Sequence, residues 1–201
     1  VLVEPDRMTQ AQWFPDARLN FAENLLSRRD DKTALVFRDE THGRQALSYA
    51  QLYQRVAQLA AGLKGAGVGG GDRVAGFMPN CIDAVVAMLA TTSLGAVWSS
   101  CSPDFGIHGV LDRFGQIEPK VLFTTDGYCY NGKTLDSLAK ISEVAAQLEV
   151  IERVVVVPFI SDNPNITALP KATLLSNFED ASATEITFVS VPFNHPLYVM
   201  Y

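Results

Sequence analysis

The chain has 201 residues, of which 48% are hydrophobic and 19% charged, and these fractions exclude an intrinsically disordered protein. Its net charge of −6 at pH 7 excludes the strongly basic surface by which proteins bind nucleic acids. The three cysteines lack the spacing of a metal or disulfide motif, which predicts buried thiols in a reduced, cytoplasmic protein. The longest apolar run, residues 84–90, is far shorter than the ~20 residues that cross a bilayer.

The first predicted elements are a short helix and two strands. Asn20 and Glu23 have the spacing of a capping box, so we expect a helix to begin near Phe21. The short runs at residues 34–37 and 45–47 are typical of β-strands joined by a polar turn.

A long amphipathic helix is predicted next. Ser48 and Gln51 form a second capping-box pair, and apolar residues recur at helical spacing up to Leu63. The glycines within residues 65–70 match the GxGxxG pattern of dinucleotide-binding folds, which requires a strand before them and a helix after them. Because the predicted order is reversed here, these glycines indicate the end of a helix and not a nucleotide site.

From residue 72 onward, strands and helices alternate. The predicted strands are residues 72–78, 97–99, 121–124 and 153–157, and the predicted helices are residues 81–93, 107–116 and 134–148. Strands that alternate with helices of about 10–15 residues predict an α/β fold, a parallel sheet with helices on both faces. We expect a helical arm at residues 1–31, an α/β subdomain at 32–157, and an irregular, proline-punctuated segment at 158–201 that ends in a strand at 197–201.

No complete catalytic constellation is visible in the sequence. It contains no GxxxxGK[ST] phosphate loop and no GxSxG nucleophile elbow, and its three histidines are isolated from further metal ligands. We therefore predict no catalytic residue and no metal site in this chain. One candidate binding segment is Tyr130, Asn131, Gly132 and Lys133, expected in a loop after the strand at 121–124, where open α/β sheets bind ligands. An ordinary polar turn is the alternative interpretation.

Three motifs occur in an order that is typical of one superfamily. They are LSYAQL at residues 47–52, GDRV at 71–74 and SLGAVWSSCSPDFG at 93–106. Together they resemble the opening motifs of adenylate-forming enzymes, which include acyl-CoA synthetases, luciferases and nonribosomal-peptide adenylation domains. Two segments, WFPDARLNFAENLL at 13–26 and GAVWSSCSPDFG at 95–106, resemble the corresponding sequences of the acetoacetyl-CoA synthetases in particular. The resemblance covers essentially the whole chain.

The resemblance implies an enzyme longer than this chain. An acetoacetyl-CoA synthetase would convert acetoacetate and ATP to acetoacetyl-AMP and pyrophosphate, with Mg²⁺ neutralising the phosphates, and would then transfer the acyl group to CoA. In that family the phosphate loop, the adenine contacts and the catalytic lysine follow the strand that ends near Tyr201. We therefore expect the chain to be the N-terminal subdomain of an adenylating domain, without ligase activity or tight binding of ATP, CoA or Mg²⁺ on its own.

The resemblance also implies a role for the segment Tyr130–Lys133. In the related acetyl-CoA synthetases, an RAGR segment at the matching place contacts the nucleotide end of CoA. Here Tyr130 replaces the first arginine and Lys133 the second. Lys133 would meet a phosphate as a point charge, without the bidentate fork of an arginine.

Two other interpretations remain open. The chain could belong to a synthetase for acetate, propionate or another short acid, because the acid pocket of the family lies outside it. It could also be a non-catalytic α/β binding module. The expected partners are small molecules and neither nucleic acid nor a membrane, and an unpaired edge at residues 197–201 predicts self-association.

Overall fold

The computed structural model describes residues 2–3 and 11–201, so residues 1 and 4–10 of the predicted N-terminal arm lie outside the described part of the chain. In chain order, the elements are β1 (Leu2–Val3), β2 (Gln12–Trp13), β3 (Arg18–Leu19), α1 (Phe21–Leu25), β4 (Thr33–Arg38), β5 (Arg44–Ser48), α2 (Tyr49–Gly65), β6 (Arg73–Phe77), α3 (Ile82–Ser93), β7 (Val97–Cys101), α4 (Ile107–Ile117), β8 (Val121–Thr125), β9 (Gly127–Tyr130), β10 (Lys133–Asp136), α5 (Leu138–Gln147), β11 (Arg153–Val157), β12 (Ala172–Leu174), α6 (Leu175–Phe178), β13 (Val191–Pro192) and β14 (Tyr198–Val199).

A parallel sheet of six strands organises the fold. The strand order is β12-β11-β8-β6-β7-β14, and every pairing within it is parallel. All five residues of β8 are buried, as expected for a strand covered on both faces. The α/β class and the parallel sheet predicted from the alternating pattern are thereby confirmed.

Helices cover the two faces of the sheet with separate apolar cores. Val56 of α2 and Val86 of α3 lie in the first core, together with Ala22 of α1. Phe114 of α4 and Ile141 of α5 lie in the second, on the opposite face. Each of these five side chains is at most 1% exposed.

Both predicted capping boxes mark real helix starts. The Ser48 hydroxyl accepts a hydrogen bond from the Gln51 N–H, and the Gln51 side chain accepts one from the Ser48 N–H, at the start of α2. At α1, the Asn20 side-chain oxygen accepts from the Glu23 N–H. The Asn20 amide group donates to three main-chain carbonyls of the domain body, which docks the arm on it.

The predicted helix at residues 134–148 starts too early. The observed helix α5 begins at Leu138, and residues 127–136 form an antiparallel hairpin of β9 and β10. Asn131 and Gly132 at its tip have φ values of 50° and 72°. An Asn-Gly pair in this left-handed conformation makes the two-residue turn that suits the twist of a hairpin. Residues 133–136 then pair with residues 127–130 as a strand, so the helix begins only after them.

The last part of the chain adds both edges of the sheet. β12 was not predicted, and it pairs with β11 at one edge. The predicted strand at 197–201 is shorter than expected: β14 covers Tyr198–Val199 and pairs with β7 at the other edge. Within the described ranges, no strand pairs with the outer side of β14. No helix of these ranges has the length and apolar composition to cross a membrane.

Candidate functional site

The topology places crevices beside the carboxyl end of β6. The helix that follows β6, α3, packs on one face of the sheet, whereas the helices that follow its neighbours β7 and β8 pack on the other. Loops that leave adjacent parallel strands toward opposite faces open a crevice between them, which is where open α/β sheets bind ligands. The loops after β6, β7 and β8 therefore form the candidate site, together with the loop after β11, whose main-chain N–H groups donate to Asp126 after β8.

The SPDFG loop, residues 102–106, follows β7 and accepts hydrogen bonds from side chains of β9 and α5. The Tyr128 hydroxyl donates a hydrogen bond of 2.7 Å to an Asp104 carboxylate oxygen, and the Lys140 ammonium group donates one of 3.0 Å to the Pro103 carbonyl. Burial, and then the nearby Asp104 carboxylate, raise the pKa of Tyr128 to about 12, so the hydroxyl remains a donor at neutral pH. These two hydrogen bonds hold the SPDFG loop in one position against the hairpin and α5.

The β9–β10 hairpin brings together the four residues predicted to bind a ligand. Tyr130 and Lys133 face each other across the two strands, and Tyr130 is 64% exposed. At the tip, the main-chain N–H groups of Asn131 and Gly132 donate to the two carboxylate oxygens of Glu40, at 2.9 and 2.8 Å. The tip is therefore a two-amide anion site, and its occupant is a side chain of this protein.

Glu40 is the site residue that the sequence did not reveal. It lies in the turn between β4 and β5, 91 residues before Asn131. No local pattern connects the two turns, because only the tertiary fold brings them together. The Asn-Gly pair, by contrast, was a readable signal of the hairpin itself.

The base of the hairpin is fixed by a buried carboxylate. Asp126 is 3% exposed and accepts hydrogen bonds of 2.7, 3.0 and 2.9 Å from the N–H groups of Phe159, Ile160 and Ser161. The next residue, Gly127, packs so closely that an added Cβ would lie 2.5 Å from the Leu135 carbonyl oxygen. These contacts join the loop after β11 to the hairpin.

A mainly apolar cavity of about 660 Å³ opens beside β7. Its lining comes from β4, α3, β7 and the last four residues, and includes Cys81, Met88, Trp98, Tyr198 and Met200. Burial raises the pKa of the Cys81 thiol to about 12, which leaves too little thiolate for a nucleophile at neutral pH.

A smaller, more polar cavity of about 290 Å³ lies between the β4–β5 turn, the start of α3 and the loop after β11. Its wall includes His42, whose pKa is raised by a hydrogen bond with Asp39. Among residues 2–3 and 11–201, no group of three or more His, Cys, Asp or Glu side chains could hold a metal ion.

Comparisons with a family model and with curated proteins agree on one family. A family model described as AMP-binding enzyme matches residues 21–201. The chain is 46% identical to an acetoacetyl-coenzyme A synthetase of Rhizobium meliloti (strain 1021), over 100% of the chain and 31% of that protein. It is 39% identical to a malonamoyl-CoA synthetase of Penicillium aethiopicum, over 94% of the chain and 28% of that protein.

A solved structure shows the same fold. The acetoacetyl-CoA synthetase from Streptomyces lividans superimposes with a TM-score of 0.91 at 43% identity, and the match covers 100% of this chain and 31% of that one. The chain thus spans about 31% of the length of these acetoacetyl-CoA synthetases.

Proposed function

The chain belongs to the family of AMP-binding enzymes, and on that premise we propose that the whole protein is an acid–thiol ligase that forms acetoacetyl-CoA. The acetoacetate carboxylate attacks the α-phosphate of ATP, and the bond to pyrophosphate breaks. The CoA thiolate then attacks the acyl carbonyl carbon of acetoacetyl-AMP and releases AMP. A bound Mg²⁺ would supply positive charge to the phosphates in the first step. The observation that carries this proposal is identity above 40% to named acetoacetyl-CoA synthetases over the entire chain.

In this proposal the 201 residues supply part of a binding surface and no catalytic group. The charge that develops on the phosphoryl centre requires backbone donors, a lysine and a metal ion. No such constellation lies at the carboxyl edge of the described sheet, where the fixed groups are Asp126, Tyr128 and Lys140. The isolated chain is therefore expected to be inactive and to bind ATP and Mg²⁺ weakly.

The role proposed for Tyr130, Asn131, Gly132 and Lys133 is contact with the nucleotide end of CoA. Two adjacent N–H groups that already hold a carboxylate form a donor set that suits phosphate oxygens equally well. Lys133, the first residue of β10, adds a positive charge next to them. Tyr130, largely exposed, offers an aromatic face.

A different acid is the second candidate. The malonamoyl-CoA synthetase of Penicillium aethiopicum matches 94% of the chain at 39% identity. A relative named for another acid at this similarity supports a second substrate as the alternative. Acetate and propionate belong in the same test for this reason.

Two further features complete the proposal. We place the protein in the cytoplasm, where ATP and CoA are available and where free thiols persist; Cys81, Cys101 and Cys129 are all unpaired.

We also propose that the isolated chain self-associates through β14, beyond which Met200 is 85% exposed. Sedimentation of a strictly monomeric species at high concentration would contradict the self-association.

The direct test is acetoacetate-dependent exchange of pyrophosphate into ATP by the full-length gene product. The 201-residue chain serves as the control and should show none. Exchange with acetate or propionate, and not with acetoacetate, would replace the proposed substrate and retain the reaction class.

A further inference from the structure

The anion site at the hairpin tip is filled by the protein itself. The N–H groups of Asn131 and Gly132 point at the same carboxylate, and each makes a hydrogen bond of ordinary length to a different oxygen of Glu40. These groups are exposed, so water alone would satisfy them. The contact therefore joins two otherwise separate turns.

The β4–β5 hairpin, which carries Glu40 in its turn, has two arginines opposite each other. Arg38 and Arg44 are paired directly opposite each other at the end of β4 and the start of β5. Directly opposed like charges destabilise a hairpin. Neither arginine has a carboxylate within ion-pair distance among the described residues. Arg38 lies two residues before Glu40 and Arg44 four residues after it, so two arginines without an ion-pair partner among the described residues flank the residue that fills the site.

We propose that Glu40 is a built-in competitor for a phosphate monoester, which binds the Asn131 and Gly132 amides only by displacing the Glu40 carboxylate. When the phosphate enters, Glu40 swings away from the amides toward its own turn, where Arg38 and Arg44 neutralise it. The site is closed without ligand and opens by exchange of one anion for another. This inference rests on the proposed cofactor role of the hairpin tip and adds a gate to it.

Glu40→Asp is the informative variant. It keeps the negative charge but shortens the side chain by one methylene, so the carboxylate no longer spans both amides. A gate predicts that phosphate binds this variant about ten-fold more tightly, because charge-assisted hydrogen bonds to the competitor are lost. A purely long-range repulsion by Glu40 predicts no change. Glu40→Gln removes the charge as well and should also tighten binding.

The measurement is an amide-resolved NMR titration of the 201-residue chain that follows Asn131 and Gly132, at a concentration at which sedimentation shows a monomer. One arm uses inorganic phosphate and the other adenosine 3′,5′-bisphosphate, so a free-phosphate site and a nucleotide site are distinguished by which probe binds tighter. Glu143→Gln removes an equal charge from the exposed surface of α5 and should leave both affinities unchanged.

Unchanged affinity in Glu40→Asp, or equal gains in Glu143→Gln and Glu40→Gln, would overturn the gate. Because Glu40 is exposed, its variants should still fold, and their melting temperatures should fall by only the few degrees that the loss of its two hydrogen bonds explains. The test uses neither acetoacetate nor ATP. Its outcome is therefore separate from that of the exchange assay: an inactive full-length protein would not alter the affinities of the Glu40 variants.

Discussion

Tyr128 donates its hydroxyl to Asp104 across 2.7 Å, and this bond links the hairpin after β8 to the SPDFG loop after β7. The hydroxyl is buried at the base of the same hairpin whose tip holds Glu40. One hairpin therefore contacts the motif loop near its base and carries the candidate anion site at its tip. The hairpin therefore connects the SPDFG loop to the Glu40 turn.

Loss of that hydroxyl should weaken the fold measurably. Tyr128→Phe removes a donor to a charged group and is expected to lower the free energy of unfolding by about 1–3 kcal/mol in urea denaturation. Tyr130→Phe is the matched control, since Tyr130 is 64% exposed and its hydroxyl should contribute little. Equal stability of the two variants would contradict the role assigned to the Tyr128–Asp104 bond.

Two glycines of α2 should respond to alanine in opposite directions. A Cβ at Gly62 would clash with the Phe178 carbonyl, whereas one at Gly65 meets nothing within 4 Å. We expect Gly62→Ala to destabilise by about 1–3 kcal/mol through overpacking. Gly65→Ala should stabilise by up to about 1 kcal/mol, because alanine favours the helix. A stabilising Gly62→Ala would show that α6 does not pack on α2 as described.

The three cysteines should differ sharply in reactivity. Burial is the main cause that raises the pKa of Cys81 and of Cys101 to about 12, whereas Cys129 is only half-buried in the hairpin. Iodoacetamide at pH 8 should modify Cys129 at least ~100-fold faster than the other two. Peptide mapping measures the three rates, and unfolding in urea should make them similar. Fast labelling of Cys81 in the native chain would contradict its burial.

His42 should make stability depend on pH near neutrality. Its hydrogen bond with Asp39 raises the pKa of the folded imidazole above the unfolded value of about 6.5. The stabilisation is therefore complete below about pH 6.5 and is lost as the pH rises through the folded pKa. The expected loss is at most about 1 kcal/mol, since the pair is partly exposed.

Melting curves between pH 5.5 and 8.5 measure this effect against His42→Gln, which cannot titrate. The nearby Asp126 carboxylate also raises the pKa of the His42 imidazole, and it is present in both the parent chain and the variant. A parent and a variant with parallel pH profiles would rule out the assigned contribution of His42.

The sequence was sufficient for elements whose signals are local. The Ser48–Gln51 and Asn20–Glu23 pairs predicted two helix starts correctly, because capping involves residues three positions apart. The buried strands were recognisable from continuous apolar runs such as residues 153–157. The hairpin at 127–136 is not predicted, because the segment around the Asn-Gly pair is equally typical of a polar loop that leads into a helix at Thr134.

Other features depended on distant partners. β12 is three residues long and was not predicted, because only its pairing with β11 makes it a strand; the strand predicted at 197–201 is limited by its pairing with β7 to Tyr198–Val199. The Glu40 contact joins turns 91 residues apart, and the Asp126 contacts join residues at least 33 apart. Tertiary packing creates these contacts, so no periodicity or spacing in the chain announces them.

The central claim, that this chain belongs to an acetoacetate-activating ligase, is tested most directly by pyrophosphate exchange. Full-length protein is incubated with ATP, Mg²⁺ and labelled pyrophosphate in the presence of acetoacetate, acetate or propionate. The account predicts rapid exchange with acetoacetate, little with the other acids, and none with the 201-residue chain. Absence of exchange with every acid would contradict it and would favour a non-catalytic binding module on the same fold.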